Sequence, residues 1–265
     1  SNIGKQVNKG VSGTVRYAII YRPQERINWT MSLSFRSVKT YYDKIGRKLN
    51  QYNKENLSKN LTRYYDGGSP TALWAVRSAG IDPATGKEIF LTKDGKPTFQ
   101  HSYDNEVVVG NTNPDVEGVW SNSLYWKGFS LNLHIRYSLG GQRFNSTLYE
   151  KVENISVAGL SQNQDRRALY DRWQKPGDKT KFKGTSRTEI TPISSRFVQD
   201  NNYIAIESAR LAYEFPQRWM EHVRFSGLTV SAYMNDICRF STIKDERGIS
   251  YPFARSVSMS VSINF

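Results

Sequence analysis

From Val257 to the last residue the side chains alternate without a break. Val257, Met259, Val261, Ile263 and Phe265 fall on one phase, and Ser258, Ser260, Ser262 and Asn264 on the other. A period of two belongs to a β-strand with one apolar and one polar face. One such strand fits many folds, but here the pattern recurs. Trp29, Met31, Leu33 and Phe35 alternate with Thr30, Ser32, Ser34 and Arg36. Phe129, Leu131, Leu133, Ile135, Tyr137 and Leu139 alternate with Ser130, Asn132, His134, Arg136 and Ser138. "VRYAIIY" places Val15, Tyr17, Ile19 and Tyr21 on one phase, and "VWSNSLYW", "ARLAYEF" and "GLTVSAYM" complete the set.

The spacing predicts about seven strands of roughly 9–11 residues, the length that crosses a bilayer core when tilted. Their connections alternate in kind. Short turns occupy 23–26, 127–128 and 216–222, and long segments rich in Gly, Asn and Pro occupy roughly 39–116, 140–202 and 235–254. Compact soluble domains rarely carry such loops, whereas an outer-membrane barrel has short periplasmic turns and long extracellular loops. Bacterial single-chain barrels use even strand numbers from eight upward, because closure must leave no edge. The expected fold is therefore all-β: a C-terminal segment of a large antiparallel transmembrane β-barrel, entered within an extracellular loop.

Composition agrees with this reading. Apolar residues make up 38% of the chain and the mean hydropathy is −0.62, so no stretch approaches a membrane helix, while barrel strands hide their apolar residues by alternation. Sixteen Tyr and six Trp suit interfacial aromatic girdles, for which Trp29, Tyr125, Trp126 and Tyr137 are candidates. The lone Cys238 excludes an intrachain disulfide and a Cys-based zinc cluster. His101, His134 and His222 are far apart, and no nucleophile, P-loop or dinucleotide motif is present. The expectation is no enzyme, no cofactor and no metal. The net charge of +13 is scattered over the loops, which suits anionic headgroups or surface phosphates rather than nucleic acid.

Within the loops, helix formers between Ile45 and Leu61, with Ile45, Leu49 and Tyr52 on one face, predict a short surface helix. "IDPATGKEIFLTKDGKPTF" predicts a small hairpin with turns at Pro83–Gly86 and Asp94–Gly95.

Several stretches carry a family resemblance: "NIGKQVNKGV" (2–11), "GIDPATGKEIFLTKDGKPTF" (80–99), "VVVGNTNPDVEG" (107–118), "YWKGFSLNLHIRYSLGGQRFN" (125–145), "DRWQKPGD" (171–178), "SSRFVQDNNYIAIESARLAYEFP" (194–216) and "STIKDERGISYPFARS" (241–256), with the terminal Phe. In this order they resemble the C-terminal region of SusC/RagA-type TonB-dependent outer-membrane transporters of Bacteroidetes. The resemblance implies that residues 1–265 are part of a barrel of roughly 22 strands, with the plug, the TonB box and the N-terminal strands outside this chain. It implies import of oligosaccharides or peptides in the bacterial outer membrane beneath a SusD-like lipoprotein. It further implies contact with the TonB complex through the plug, with the barrel-assembly machinery and with outer-membrane lipid. Val261, Ile263 and Phe265 would form the assembly signal. Trp173, Arg143, Tyr251 and Arg255 are candidate substrate or lid contacts, Trp173 offering an apolar face with an indole donor. The alternative from a different class is a secreted β-sandwich that binds carbohydrate.

Overall fold

The computed structural model describes residues 4–161, 164–186, 189–220, 226–244 and 255–264. Phe265 and Tyr251 lie outside the described residues. The strands are β1 (Lys5–Arg22), β2 (Ile27–Asp43), β3 (Ala72–Ile81), β4 (Glu88–Leu91), β5 (Pro97–Thr98) and β6 (Glu106–Asn111). They continue with β7 (Val116–Trp126), β8 (Phe129–Leu139), β9 (Gln142–Phe144), β10 (Val198–Asp200), β11 (Tyr203–Glu214), β12 (Gly227–Ser241) and β13 (Val257–Asn264).

A seven-stranded antiparallel sheet runs in the order β1-β2-β7-β8-β11-β12-β13. Each strand pairs with the next sheet member along the chain, so all the tight turns fall at one end and all the long connections at the other. At the tight end, Lys127 and Gly128 both take positive φ (48° and 101°), the backbone that lets a two-residue hairpin match strand twist. Pro23–Glu25 form a single 3-10 turn closed by Arg26 in the left-handed region.

One face of the sheet is apolar from edge to edge. The register aligns Val15, Leu33, Trp120 and Ile135 in one row, and Leu131, Leu211, Ala232 and Met259 in another. Among the described residues this face is left open: Val15, Met259 and Val261 are 63%, 77% and 61% exposed. Among the described residues no second sheet covers that face, so the β-sandwich alternative does not describe this fold.

Three expectations are corrected: the length of the strands, the phase of β1 and the face of Tyr125. The strands of the large sheet range from 8 to 18 residues, the longest because β1 and β2 continue through Lys5–Gly13 and Ser37–Asp43, which do not alternate. A bulge between Ala18 and Ile20 resets the phase of β1, so Ile20 pairs with Trp29 while Tyr21 pairs with Asn28. A second bulge, at Glu207, lets β11 keep Ile204 and Ile206 on the same face as Ala209 and Leu211. A bulge inserts one unpaired residue and so switches which alternate positions share a face. Tyr125 also leaves the apolar face: it pairs with Asn28 and Ser130.

The buried core lies elsewhere, in a lobe built by the long connections. Ala212 is the sole buried apolar side chain of the large sheet among the described residues, whereas Leu61, Leu73, Ala75, Val76, Phe90, Leu148, Val152, Phe182 and Phe197 are buried in or beside β3, β4 and the 145–197 segment. The expected hairpin is present as β3–β4–β5 within a sheet ordered β5-β4-β3-β6. The expected helix shrinks to α1 (Asn50–Glu55). Its inward residue is Asn53, which accepts from Tyr64 N at 3.0 Å and donates to Tyr64 O at 2.9 Å, while Tyr52 is exposed. Of the face expected from spacing, Ile45 is buried ahead of the helix, and within the helix a buried amide that satisfies backbone groups takes the inward position in place of Tyr52.

Candidate functional site

The face opposite the apolar one is polar and cross-linked. Ser121 Oγ and His134 Nδ1 lie 2.9 Å apart, and Ser123 Oγ donates to Asn132 Oδ1 at 2.9 Å. Near the tight turns, Arg26 donates to Tyr125 Oη at 2.5 Å and to Glu214 at 3.0 Å, and Tyr125 donates to the same carboxylate at 2.9 Å. Towards the long loops, Arg136 forms a bidentate pair with the bulged Glu207. The bulge that corrects the apolar phase thus also turns a carboxylate toward an arginine two positions past His134. This face displays hydroxyls, amides and paired charges, the lining expected of an aqueous lumen.

The lobe above it is held by buried ionic groups. Arg63, wholly buried, donates to Glu106 at 2.6 and 2.8 Å and to the carbonyls of Asn60, Thr62 and Leu57. Arg196 bridges Glu88 at 2.9 Å and Glu153 at 2.7 Å, donates to Lys181 O at 2.7 Å and lies over the Phe197 ring. Burial works against its charge, yet its hydrogen bonds to Glu153 and Glu88 outweigh burial and hold it more basic than usual. Ser194 Oγ adds a further bond to that cluster, to Glu88 at 2.6 Å. Arg196 Nε alone of its guanidinium nitrogens is buried without a partner among the described residues, while the two terminal nitrogens carry the bonds that fix this arrangement of the loops.

The quoted motifs converge here. "SSRF" supplies the Glu88 partner, the Arg196 clamp and the fully buried Phe197. In "DPATG", Asp82 accepts from Ala84 N and Thr85 Oγ1, and Gly86 takes φ +71°. In "DRWQKPGD", Trp173 Nε1 donates to Pro83 O at 2.9 Å, and a Cβ on Gly86 would come within 2.5 Å of its ring. Asp178 accepts from the backbone N–H groups of Gln174 and Lys175.

The candidate contacts sit on separate elements. Trp173 is half-buried against the 83–86 turn. Arg143 is half-buried on β9, in register with Gln199. Arg255 is exposed two residues before β13. Val261 and Ile263 lie on the apolar face, paired with Val230 and Leu228. What spacing missed is a cleft of about 840 Å³ between the lobe and the end of β12, lined by Arg166, Arg167, Tyr170, Lys181, Phe182 and Lys244 among others. Only the "DRR" run and Lys244 hinted at it, and both read as scattered loop charge. Behind the lining residue Arg167, Asp165 is buried; burial opposes its charge, but hydrogen bonds from Arg167 outweigh that and hold its carboxyl below the usual range. No cluster of metal-ligating side chains occurs among the described residues.

No family model matches the chain. TonB-dependent receptor P3 of Formosa agariphila is 26% identical over 156 residues, which are 59% of this chain and 14% of that relative. TonB-dependent receptor P26 of the same organism is 25% identical over 121 residues, 43% of this chain and 11% of the relative. The chain thus spans a small part of the curated relatives it matches. Among solved structures, the RagAB peptide transporter superposes with a TM-score of 0.74 at 18% identity, covering 91% of this chain and 26% of that one. The RagAB peptide importer in its open-open state gives 0.74 at 18% identity, covering 99% and 29%. The fold is shared with these structures, and the class is that of a segment of a large antiparallel outer-membrane β-barrel. Within that class, the chain is similar over part of its length to the two TonB-dependent receptors and shares its fold with the RagAB structures, in line with the family that its motifs resemble.

Proposed function

We propose that this chain supplies C-terminal staves and part of the extracellular lobe of a TonB-dependent outer-membrane importer of oligosaccharides or peptides. The observation that carries the reading is the division of one sheet into an exposed apolar face and a hydrogen-bonded polar face, with its packed core in the long connections at one end. A contiguous apolar surface of this extent belongs against lipid or a partner rather than water. In this reading the polar face lines the lumen. The edges β1 and β13 pair with the remaining N-terminal staves, which enclose the plug through which the TonB complex acts. The lobe projects outward beneath a SusD-like lipoprotein. Val261, Ile263 and Phe265 are read by the barrel-assembly machinery. Trp173, Arg143, Tyr251 and Arg255 remain the candidate contacts to cargo or lid, with Trp173 also tied to the 83–86 turn.

The test is extraction of the chain from native outer membranes, electrophoresis with and without heating, and mass-spectrometric identification of co-migrating polypeptides. A heat-modifiable species containing an upstream barrel-and-plug sequence is expected. A monomer that needs no detergent would overturn the reading.

A further inference from the structure

The cleft between the lobe and the end of β12 is cationic on its rim, but several of its cations are already committed. Lys181 faces Asp171 at 3.5 Å, Arg167 holds the buried Asp165 at 2.5 Å, and Arg196 is shared by Glu88 and Glu153. Arg166 and Lys244 have no carboxylate partner among the described residues. Arg166 and Lys244 both line the cleft, and Arg167 Nη1 donates to Lys244 O at 3.2 Å, which ties together the two segments that carry them, 77 positions apart. Below them the lining turns apolar, with Leu148 and the buried Phe182 at the floor and Tyr170 exposed at the edge. Two free cations above an apolar floor form a receptor for carboxylates carried on an apolar chain.

We propose that this cleft binds an acidic peptide, with Arg166 and Lys244 meeting its carboxylates and the floor its apolar side chains. That this peptide is cargo rests on the importer reading above. An acidic sugar would call for flat ring platforms, and Tyr170 is the one ring on the lining with an open face. The peptide is therefore the better fit.

The whole transporter that contains this chain, purified in detergent, is titrated with a labelled Glu-rich peptide, its Gln-for-Glu counterpart and an oligogalacturonate. The Glu peptide is expected to bind about tenfold more tightly than the Gln peptide, a margin that salt reduces. The double variant Arg166→Gln, Lys244→Gln should abolish the margin and leave the Gln peptide's affinity unchanged. If the double variant loses its heat-modifiable mobility, Lys244→Gln alone is read the same way, with half the margin gone. Equal affinity for the two peptides, or a margin that survives the substitutions, overturns the proposal. Tighter binding of the oligogalacturonate than of the Glu peptide overturns it in favour of an anionic sugar. Uptake into cells with and without a functional TonB complex separates the two readings. A charge-dependent margin without energised uptake of any probe removes the importer and keeps the cleft. Energised uptake without charge preference removes the cleft and keeps the importer.

Discussion

Tyr137 lies across Gly118 of the neighbouring strand, and the glycine is what lets it pass. The two are register partners in β7 and β8, and Tyr137 Oη donates to Ser34 O, one strand further on, at 2.9 Å. A Cβ at Gly118 would stand 1.9 Å from Ser34 O and 2.7 Å from Tyr137 Oη. Around this point Ser34 Oγ accepts from Val119 N at 3.0 Å and donates to Val119 O at 3.2 Å, taking over a place where the β2–β7 pairing is interrupted. Gly118→Ala should therefore destabilise the folded barrel by about 1–3 kcal/mol through overpacking. Tyr137→Phe should cost only about 1 kcal/mol, one hydrogen bond. The folded fraction on unheated gels across a urea series measures both; an unchanged midpoint for Gly118→Ala would show that the joint bears no strain.

Arg196 is the hinge of the lobe's ionic network. Arg196→Ala strands Glu88 and Glu153, both buried, without their cation, a change worth about 3–5 kcal/mol. The loss should be local. Amide exchange is expected to speed up in β3, β4 and 145–197 and to stay slow in β11 and β12. Uniform acceleration across the sheet would contradict a separately stabilised lobe.

His101 gives the lobe an acid-side weakness. It sits edge-on between Phe90 and Tyr103, with its Nε2 buried and unpartnered. Burial pushes its pKa below the ordinary value, with a backbone hydrogen bond at Ile193 and nearby Glu88 opposing. A histidine whose folded pKa is depressed binds fewer protons folded than unfolded. Its contribution to stability is thus full above the unfolded value near 6.5 and is lost as pH falls below it, through the folded pKa. Limited proteolysis of the lobe should accelerate between neutral and mildly acidic pH, and His101→Gln should flatten that dependence.

The two faces of β13 predict opposite tolerances. Val261→Lys places a charge on the apolar face and should cost about 2–4 kcal/mol if that face meets the bilayer interior. Ser262→Lys, on the polar phase beside Thr229, should cost far less. Folding yields of the whole transporter in lipid vesicles compare them directly; similar yields would argue that the apolar face does not meet lipid.

The sequence by itself determined the class of fold and the sequence order of its strands. Alternation is a local property: residues two apart share a face whatever surrounds them, so Phe129 to Leu139 and Val257 to Ile263 declare themselves. Tight turns such as Lys127–Gly128 are equally local. Strand phase was legible only until a bulge. Ile20 and Glu207 break the period, and neither announces itself, because a bulge is chosen by the partner strand. The extensions of β1 and β2 carry no alternation and hold through pairing alone, Lys5 to Asp43 at the far end. The lobe was the least visible. Its stabilising contacts join Arg63 to Glu106, Ser194 to Glu88 and Trp173 to Pro83, pairs separated by 43, 106 and 90 positions. Spacing along a chain cannot report such contacts; the tertiary fold chose which charges were buried in pairs and which two, Arg166 and Lys244, were left facing the cleft.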